Sequence, residues 1–326
     1  YAAAIVPTLL AVTIACLAYG QRMGMFIAFM QCAMVTMALS QPIGWFVLLI
    51  AGSGMMIGQL KEVRQRQTLI KGSAITATAF TLGSLFLGLS EVPDLWVAWQ
   101  QVLSNALVAG ASALAVGFFV LGILPSIERI FDITTGMTLA DLRDPRNPLI
   151  RQLQQLAPGT FNHSRQVADI AETATEAIGG DSLLAYVGGL FHDIGKMKNP
   201  MYFIENQSTG VNPHDELSFD ESTDIIISHV KNGIEIAKDN KLPEELIDFI
   251  RTHHGTSTVH YFYKQFITTF PDEEVDIKDF AYPGPKPFSK ETAVLMMADS
   301  VEAAARSLKQ PNADSINDLV ENIIGK

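Results

Sequence analysis

Five histidines and two aspartates carry the chemistry open to this sequence. His192 and Asp193 are adjacent in Leu190-Phe191-His192-Asp193-Ile194-Gly195-Lys196, at the end of an apolar run. His163 lies upstream, and His229, the pair His253-His254 and Asp299 lie downstream. Each falls on a stretch that reads as helix. Seven such ligands can fill the inner shells of two metal ions, and mixed imidazole and carboxylate donors suit Fe, Mn or Zn. A pair of divalent ions about 3.5–4 Å apart lowers the pKa of bound water and clamps a phosphodiester for in-line attack. No Ser or Cys nucleophile is then needed, and the sequence offers no nucleophile elbow or catalytic cysteine.

Helical periodicity places these residues inward. From Thr160 to Ile178 the residues Val167, Ile170, Ala171, Ala174 and Ile178 share a face with His163. Ser182 to Asp193 is apolar up to the His-Asp pair, with Gly195 as a stop and Gly188-Gly189 open to a close helix neighbour. Asp220 to Lys238 sets His229 beside Ile225, Ile226, Gly233 and Ile236. Pro243 opens a helix whose Leu246, Ile247 and Ile250 are in phase with His253 and His254. Ser289 to Leu308 sets Asp299 on a stripe with Val294, Leu295 and Ala298. A lone inward His is usually a hydrogen-bonded core residue, and a lone helical Asp usually caps or is solvated. Seven together, two pairs of them adjacent, are better explained by metal, because a carboxylate on a buried stripe needs a counter-charge. His214, in a Pro-Asp loop, and His260, on a Tyr-rich segment, are read as outside this inner shell.

The rest of the chain divides by charge. Only 17% of the 326 residues are charged, and almost none of those precede Leu124. Five runs there approach the roughly 20 apolar residues of a membrane helix: 1–20, 23–39, 43–60, 68–89 and 105–124. The expected fold is therefore all-α: a multi-span membrane domain over 1–125, a connector over 126–148 and an all-helical soluble domain over 149–326. Basic Arg22, Lys61, Arg64, Arg66 and Lys71 mark one side of the bilayer, and the loop with Glu91, Asp94, Trp96 and Trp99 the other. Tyr1 then starts outside, and the soluble part lies in the cytoplasm. No Asp or Glu sits mid-span, so an ion or proton pathway is disfavoured. Cys16 and Cys32 fall in apolar segments and read as small membrane residues. The net charge of −11 argues against nucleic acid as a partner. In the connector, Ser126 to Phe131 continues the last span, Thr138 caps a short helix start, and Asp144-Pro145-Arg146-Asn147-Pro148 breaks it. It is either a plain spacer or an element that couples the two halves.

The order His163, His192-Asp193, Asp299 resembles the HD-domain superfamily of metal phosphohydrolases, and His229 with His253-His254 resembles its two-metal members. The wider text is similar to bacterial 7TM-HD proteins of the PgpH type. The stretches that carry this include Pro158-Gly159-Thr160-Phe161-Asn162-His163-Ser164, His192-Asp193-Ile194-Gly195-Lys196-Met197, Tyr202-Phe203-Ile204-Glu205-Asn206-Gln207 and Asn212-Pro213-His214-Asp215. They continue with Ile226-Ile227-Ser228-His229-Val230, His253-His254-Gly255-Thr256, Tyr282-Pro283-Gly284-Pro285-Lys286-Pro287 and Ala298-Asp299-Ser300-Val301-Glu302-Ala303.

The resemblance implies a membrane-anchored phosphodiesterase of the bacterial plasma membrane that hydrolyses cyclic di-AMP to the linear dinucleotide pApA. It implies that Asp193 bridges two divalent ions, iron or manganese, with His163, His192 and Asp299 on one and His229, His253 and His254 on the other. Lys196 is expected to touch a phosphate oxygen, with Arg306 a weaker candidate. Tyr202 and Tyr261, beside Phe203, Phe262 and Tyr263, are expected to stack on adenine. The partners so implied are the cyclic dinucleotide, the lipid bilayer and a signal ligand of an extracellular domain; a second copy of the chain stays open. Asn162 departs from relatives that have His there. The family's extracellular domain, further spans and C-terminal continuation are absent, so the chain reads as trimmed at both ends. HD-GYP enzymes for cyclic di-GMP carry Gly-Tyr-Pro after the His pair, where this chain has Gly255-Thr256 and later Pro283-Gly284-Pro285. A nucleotide-binding receptor without turnover is the non-enzyme alternative.

Overall fold

The apolar runs of the first part do form helices. The computed structural model describes residues 2–60, 66–91, 95–131, 133–207, 210–308 and 311–325. Four helices make up the first part: α1 (Ala2–Ala38), α2 (Ile43–Gln59), α3 (Arg66–Glu91) and α4 (Leu95–Phe131). The first two expected spans lie in α1, which breaks at Gly20 with φ 82°. A Cβ at Gly24 would lie 3.0 Å from that of Cys16, whereas residues eight apart on one straight helix are about 12 Å apart. The two arms of α1 therefore fold against each other, and five helical segments result. Among the described residues, three helices are long and apolar enough to cross a membrane, with Ile43–Gln59 a shorter apolar fourth. Ile5, Leu9, Val12, Leu49, Phe80, Ala109 and Val120 share their buried core. Phe26, Phe29, Phe86 and Phe118 point outward, a surface suited to lipid rather than water. Lys61, Arg64 and Asp94 of the orientation argument, and the side chains of Arg66 and Trp96, lie outside the described residues.

The connector is more helical than its sequence indicates. Ser126 to Phe131 belongs to α4, which runs through Pro125 without ending. The short helix α5 starts at Gly136 and ends at Arg143. Thr138 does not cap it: its hydroxyl donates to Glu128 Oε1 at 2.7 Å, as does that of Thr135 at 2.6 Å. A buried-leaning carboxylate with two hydroxyl donors outcompetes the local cap. The chain divides into two compact units, Tyr1–Ala140 and Asp141–Lys326, with the division inside α5.

The second unit is a bundle of α6 (Pro148–Leu156), α7 (Pro158–Ala177), α8 (Ser182–Phe191), α9 (Phe219–Asp239), α10 (Glu244–Thr252), α11 (His260–Thr269), α12 (Lys290–Arg306) and α13 (Ala313–Ile324). Four 3₁₀ turns join α8 to α9. Among the described residues there is no strand, only an isolated bridge between Thr258 and Ala281. Asp181 caps α8, and capping boxes Ser218/Glu221 and Ser289/Thr292 start α9 and α12. The buried face of α7 is His163, Val167, Ala168, Ala171 and Thr175. Ile170 and Ile178, expected on that face, are instead exposed. The apolar period was drawn one position off, because small Ala168 and polar Ser164 and Thr175 occupy the true contact line.

Two glycine sites bring the ligand-bearing segments together. Gly188 lies against the Phe249 ring and Gly189 against Ala168, so α8 is pressed between α10 and α7. Gly195 follows the His-Asp pair, and a Cβ there would overlap the His229 carbonyl oxygen of α9. This contact fixes the turn after Asp193 on the helix that carries His229. Gly195→Ala is expected to destabilise the protein by about 1–3 kcal/mol, the usual cost of forcing atoms into a filled space. Chemical unfolding of the full chain in detergent measures it; unchanged stability would mean the two backbones can separate freely.

Candidate metal centre

Three of the histidines are aimed by the same local device. His192 Nδ1 lies 2.7 Å from the Gly189 carbonyl, His229 Nδ1 2.5 Å from that of Ile226, and His253 Nδ1 2.9 Å from that of Ile250. In each case the acceptor is three residues earlier in the same helix. A carbonyl only accepts, so Nδ1 carries the proton and the Nε2 lone pair faces inward. His163 reaches the same state differently: its Nδ1 lies 2.6 Å from Glu302 Oε2 on α12.

The lone pairs converge on Asp193, which is 1% exposed. Its Oδ1 lies 3.4 Å from His229 Nε2 and 3.6 Å from His253 Nε2. Its Oδ2 lies 3.3 Å from His192 Nε2 and 3.5 Å from His163 Nε2. The two oxygens thus face two different pairs of imidazoles. Asp299 Oδ1 joins the second pair, 3.0 Å from His163 Nε2 and 3.8 Å from His192 Nε2. His254 joins the first: Asp193, His229, His253 and His254 bring ligand atoms within 4.8 Å of one another, as do His163, His192 and Asp193. His254 is held in place by its ring, stacked on Tyr282 at 4.2 Å and 27°. All seven expected ligands are therefore in one nest.

The donor set fits metal ions. His229 and His253 point Nε2 at Nε2 across 3.2 Å, which is a poor arrangement for two lone pairs unless a cation lies between them. His192 Nε2 and Asp193 Oδ1 are buried without a hydrogen-bond partner, a costly state for polar atoms with nothing to bind. The charges agree. Burial opposes ionisation of Asp193, yet Lys196 and His192 hold its carboxyl well below the usual range. Burial likewise opposes ionisation of Asp299, but His163, His192 and His254 together hold its carboxyl below the usual range. Burial, helped by His253 and Lys196, holds His229 down to about 3 against the pull of Asp193. His254 is held low mainly by burial. Burial works against His192 as well, but there Asp193 prevails and lifts the imidazole to about 8. The neutral imidazoles of His229 and His254 beside ionised carboxylates are ready ligands for divalent cations, and His192 becomes one when a cation displaces its proton.

The remaining expected residues surround the nest. Lys196 Nζ lies 2.7 Å from Asp193 Oδ2 and 3.0 Å from Glu205 Oε1, so two carboxylates hold the expected phosphate-binding lysine. Tyr202, Phe203, Tyr261 and Phe262 line one cavity of about 380 Å³ together with Glu205 and His214. Tyr263 turns away and packs on Phe280. Arg306 lies on Glu302, with Nη2 2.5 and 2.6 Å from its two oxygens, and lines a second cavity of about 710 Å³ on the His163 side. His214 donates from Nε2 to the Tyr202 carbonyl and His260 is exposed, so both stay outside the inner set. Glu205, Glu302 and Tyr282 are site residues that reasoning from the sequence missed. For Glu302 a signal existed, since it follows Asp299 by three residues on one helix. Glu205 sits among 3₁₀ turns, where no periodicity points anywhere.

Comparison with known proteins agrees with this geometry. Residues 160–304 match the HD domain family, and residues 1–135 match the family described as 7TM receptor with intracellular HD hydrolase. The solved HD domain of PgpH from Listeria monocytogenes, in complex with cyclic di-AMP, is 46% identical, with a TM-score of 0.53; the match covers 56% of this chain and 84% of that one. The chain belongs to the 7TM-HD family. Two curated 7TM-HD relatives are named cyclic-di-AMP phosphodiesterase PgpH. That of Listeria monocytogenes is 41% identical over 77% of this chain and 35% of its own length; that of Bacillus subtilis is 38% identical over 89% and 40%. The chain thus spans well under half the length of these relatives. It is a membrane protein with an HD hydrolase domain, and its nest of His and Asp is able to hold metal.

Removal of metal gives a direct check. Mn²⁺ at about one hundred times its dissociation constant is expected to stabilise the chelator-treated protein by about 2.7 kcal/mol per site. Thermal melting in detergent, with EDTA and then with added Mn²⁺, reads this; identical melting in both would argue against a metal centre.

Proposed function

We propose that the second unit is a two-metal phosphodiesterase that opens cyclic di-AMP to pApA. One observation carries this reading: the two oxygens of Asp193 face separate imidazole pairs, as a carboxylate shared by two ions would. Similarity to the PgpH phosphodiesterases, and to an HD domain solved with cyclic di-AMP, supports the substrate. In this reading His163, His192 and Asp299 hold one ion, His229, His253 and His254 the other, and Asp193 both. Iron or manganese suits a set of five imidazoles and two carboxylates without thiolate.

When bound, such ions supply a water of lowered pKa and positive charge beside the phosphodiester. The chain's own residues supply the rest. Lys196 has three N–H donors and spends two on Asp193 and Glu205, leaving the third for a phosphate oxygen. Tyr202 and Tyr261 flank a cavity wide enough for an adenine to stack. Arg306, at the second cavity, adds positive charge near the other phosphate. Hydrolysis to pApA joins the water oxygen to phosphorus and breaks the P–O3′ bond, with a proton passing to O3′.

The first unit lies in the bacterial plasma membrane, with the hydrolase domain on the cytoplasmic side. Arg22, between the first two apolar runs, and Lys71, near the start of the fourth, support this orientation. A signal ligand outside the cell and a second copy of the chain are further proposed partners.

Purified chain, loaded with Mn²⁺ or Fe²⁺ and offered cyclic di-AMP and cyclic di-GMP side by side, provides the test. Production of pApA from cyclic di-AMP is expected, falling to the uncatalysed background in Asp193→Ala. Preference for cyclic di-GMP would overturn the substrate. Metal uptake without turnover of either would favour a receptor that only binds nucleotide.

A further inference from the structure

His163 is the exception among the aimed histidines. His192, His229 and His253 each lean on a backbone carbonyl of their own helix. His163 instead meets a carboxylate from another helix, Glu302 Oε2, at 2.6 Å from Nδ1. Its other nitrogen, Nε2, faces Asp299 Oδ1 at 3.0 Å. Asp299 and Glu302 are three residues apart on α12, so one helix face presents a candidate ligand and, one turn on, the group behind its neighbouring ligand. Glu302 is 8% exposed. A buried carboxylate needs a partner, and Arg306, four residues further, places Nη2 2.5 and 2.6 Å from its two oxygens. The same Nη2 is 3.1 Å from His163 Nδ1. Two N–H donors at that distance are tolerated because the carboxylate accepts from both.

We propose that Glu302 is the positioning residue of the metal position containing His163 and Asp299, and that Arg306 holds Glu302 in place for it. Glu302 fixes the proton of His163 on Nδ1 and the lone pair on Nε2. A carboxylate acceptor also makes the imidazole a stronger donor to metal than a carbonyl does. The two metal positions then differ in kind: His229 and His253 of one lean on backbone carbonyls, whereas the other joins His192, also on a carbonyl, to His163, which leans on a side-chain carboxylate that substitution can reach. This rests on the two-metal reading of the nest.

The test is a Mn²⁺ titration of the metal-free full chain in detergent, in competition with a fluorescent chelator. The visible spectrum of the Co²⁺-loaded protein and the melting temperature of the metal-free protein are recorded alongside. Wild-type chain is expected to take up two ions. Glu302→Gln keeps the size of the side chain and is expected to weaken one ion by about 10–100-fold. The second ion and the metal-free melting temperature stay as in wild type, and the Co²⁺ bands shift. Glu302→Asp keeps the charge on a shorter arm and falls between the two. Wild-type affinity for both ions and an unchanged spectrum in Glu302→Gln would overturn the proposal alone. Equal weakening of both ions with a lower melting temperature would reduce Glu302 to a structural residue and overturn it too. Wild-type chain that takes up fewer than two ions would overturn the two-metal reading and the proposal with it.

Discussion

Everything in the candidate metal centre depends on the cost of burying the Asp193 carboxylate. A charge with 1% exposure cannot stand without compensation. The fold answers with Lys196 on one oxygen and imidazole nitrogens around both. Burial holds His229 neutral, while Asp193 draws a proton to His192 that a bound cation would displace. That balance leaves lone pairs and negative charge facing one small space. Four carboxylates, Asp193, Asp299, Glu205 and Glu302, stand there against the two cations Lys196 and Arg306. The imbalance favours added positive charge, and divalent ions bring it in the smallest volume.

Helix geometry turns this electrostatic need into a structure. A histidine near the C-terminal end of a short helix can return its Nδ1–H to the carbonyl three residues back, which also satisfies one of the helix's orphan acceptors. His192 caps α8 and His253 caps α10 in this way. These two residues are thus set by helix ends that the chain must make anyway. The close approach of Gly195 to the α9 backbone then brings His229 up to the same carboxylate. His163, in the body of α7, lacks that device, and Glu302 supplies the acceptor from α12.

The membrane half obeys a different solvent. Its helices hide small and aliphatic side chains such as Ala28, Leu49 and Ala109 and turn phenylalanines outward. In water that would be an aggregation surface; in lipid it is the natural one. Hydroxyls within the bundle, such as those of Thr8 and Ser73, donate to the carbonyl four residues earlier in their own helix, which satisfies them without water.

Much of this was legible in the sequence, because it depends on local chemistry. The apolar runs, and five histidines and two aspartates carried on or at the ends of helices, follow from residue type and period. Even the fold-back at Gly20 could be anticipated between two apolar runs. Tertiary structure alone decided what sits behind the ligands. Glu302 shares a helix face with Asp299 and Glu205 sits among 3₁₀ turns, but in neither case does anything local say that His163 or Lys196 will come within hydrogen-bond reach. It also decided that Lys196 spends two of its donors on carboxylates, that Tyr263 joins the core while Tyr202 and Tyr261 line a cavity, and that Ile170 faces outward. The physical reason is the same in each case. A residue's type and phase fix which way its side chain leaves its own helix, but its partner is set by which other helix packs there, and that is a property of the whole bundle.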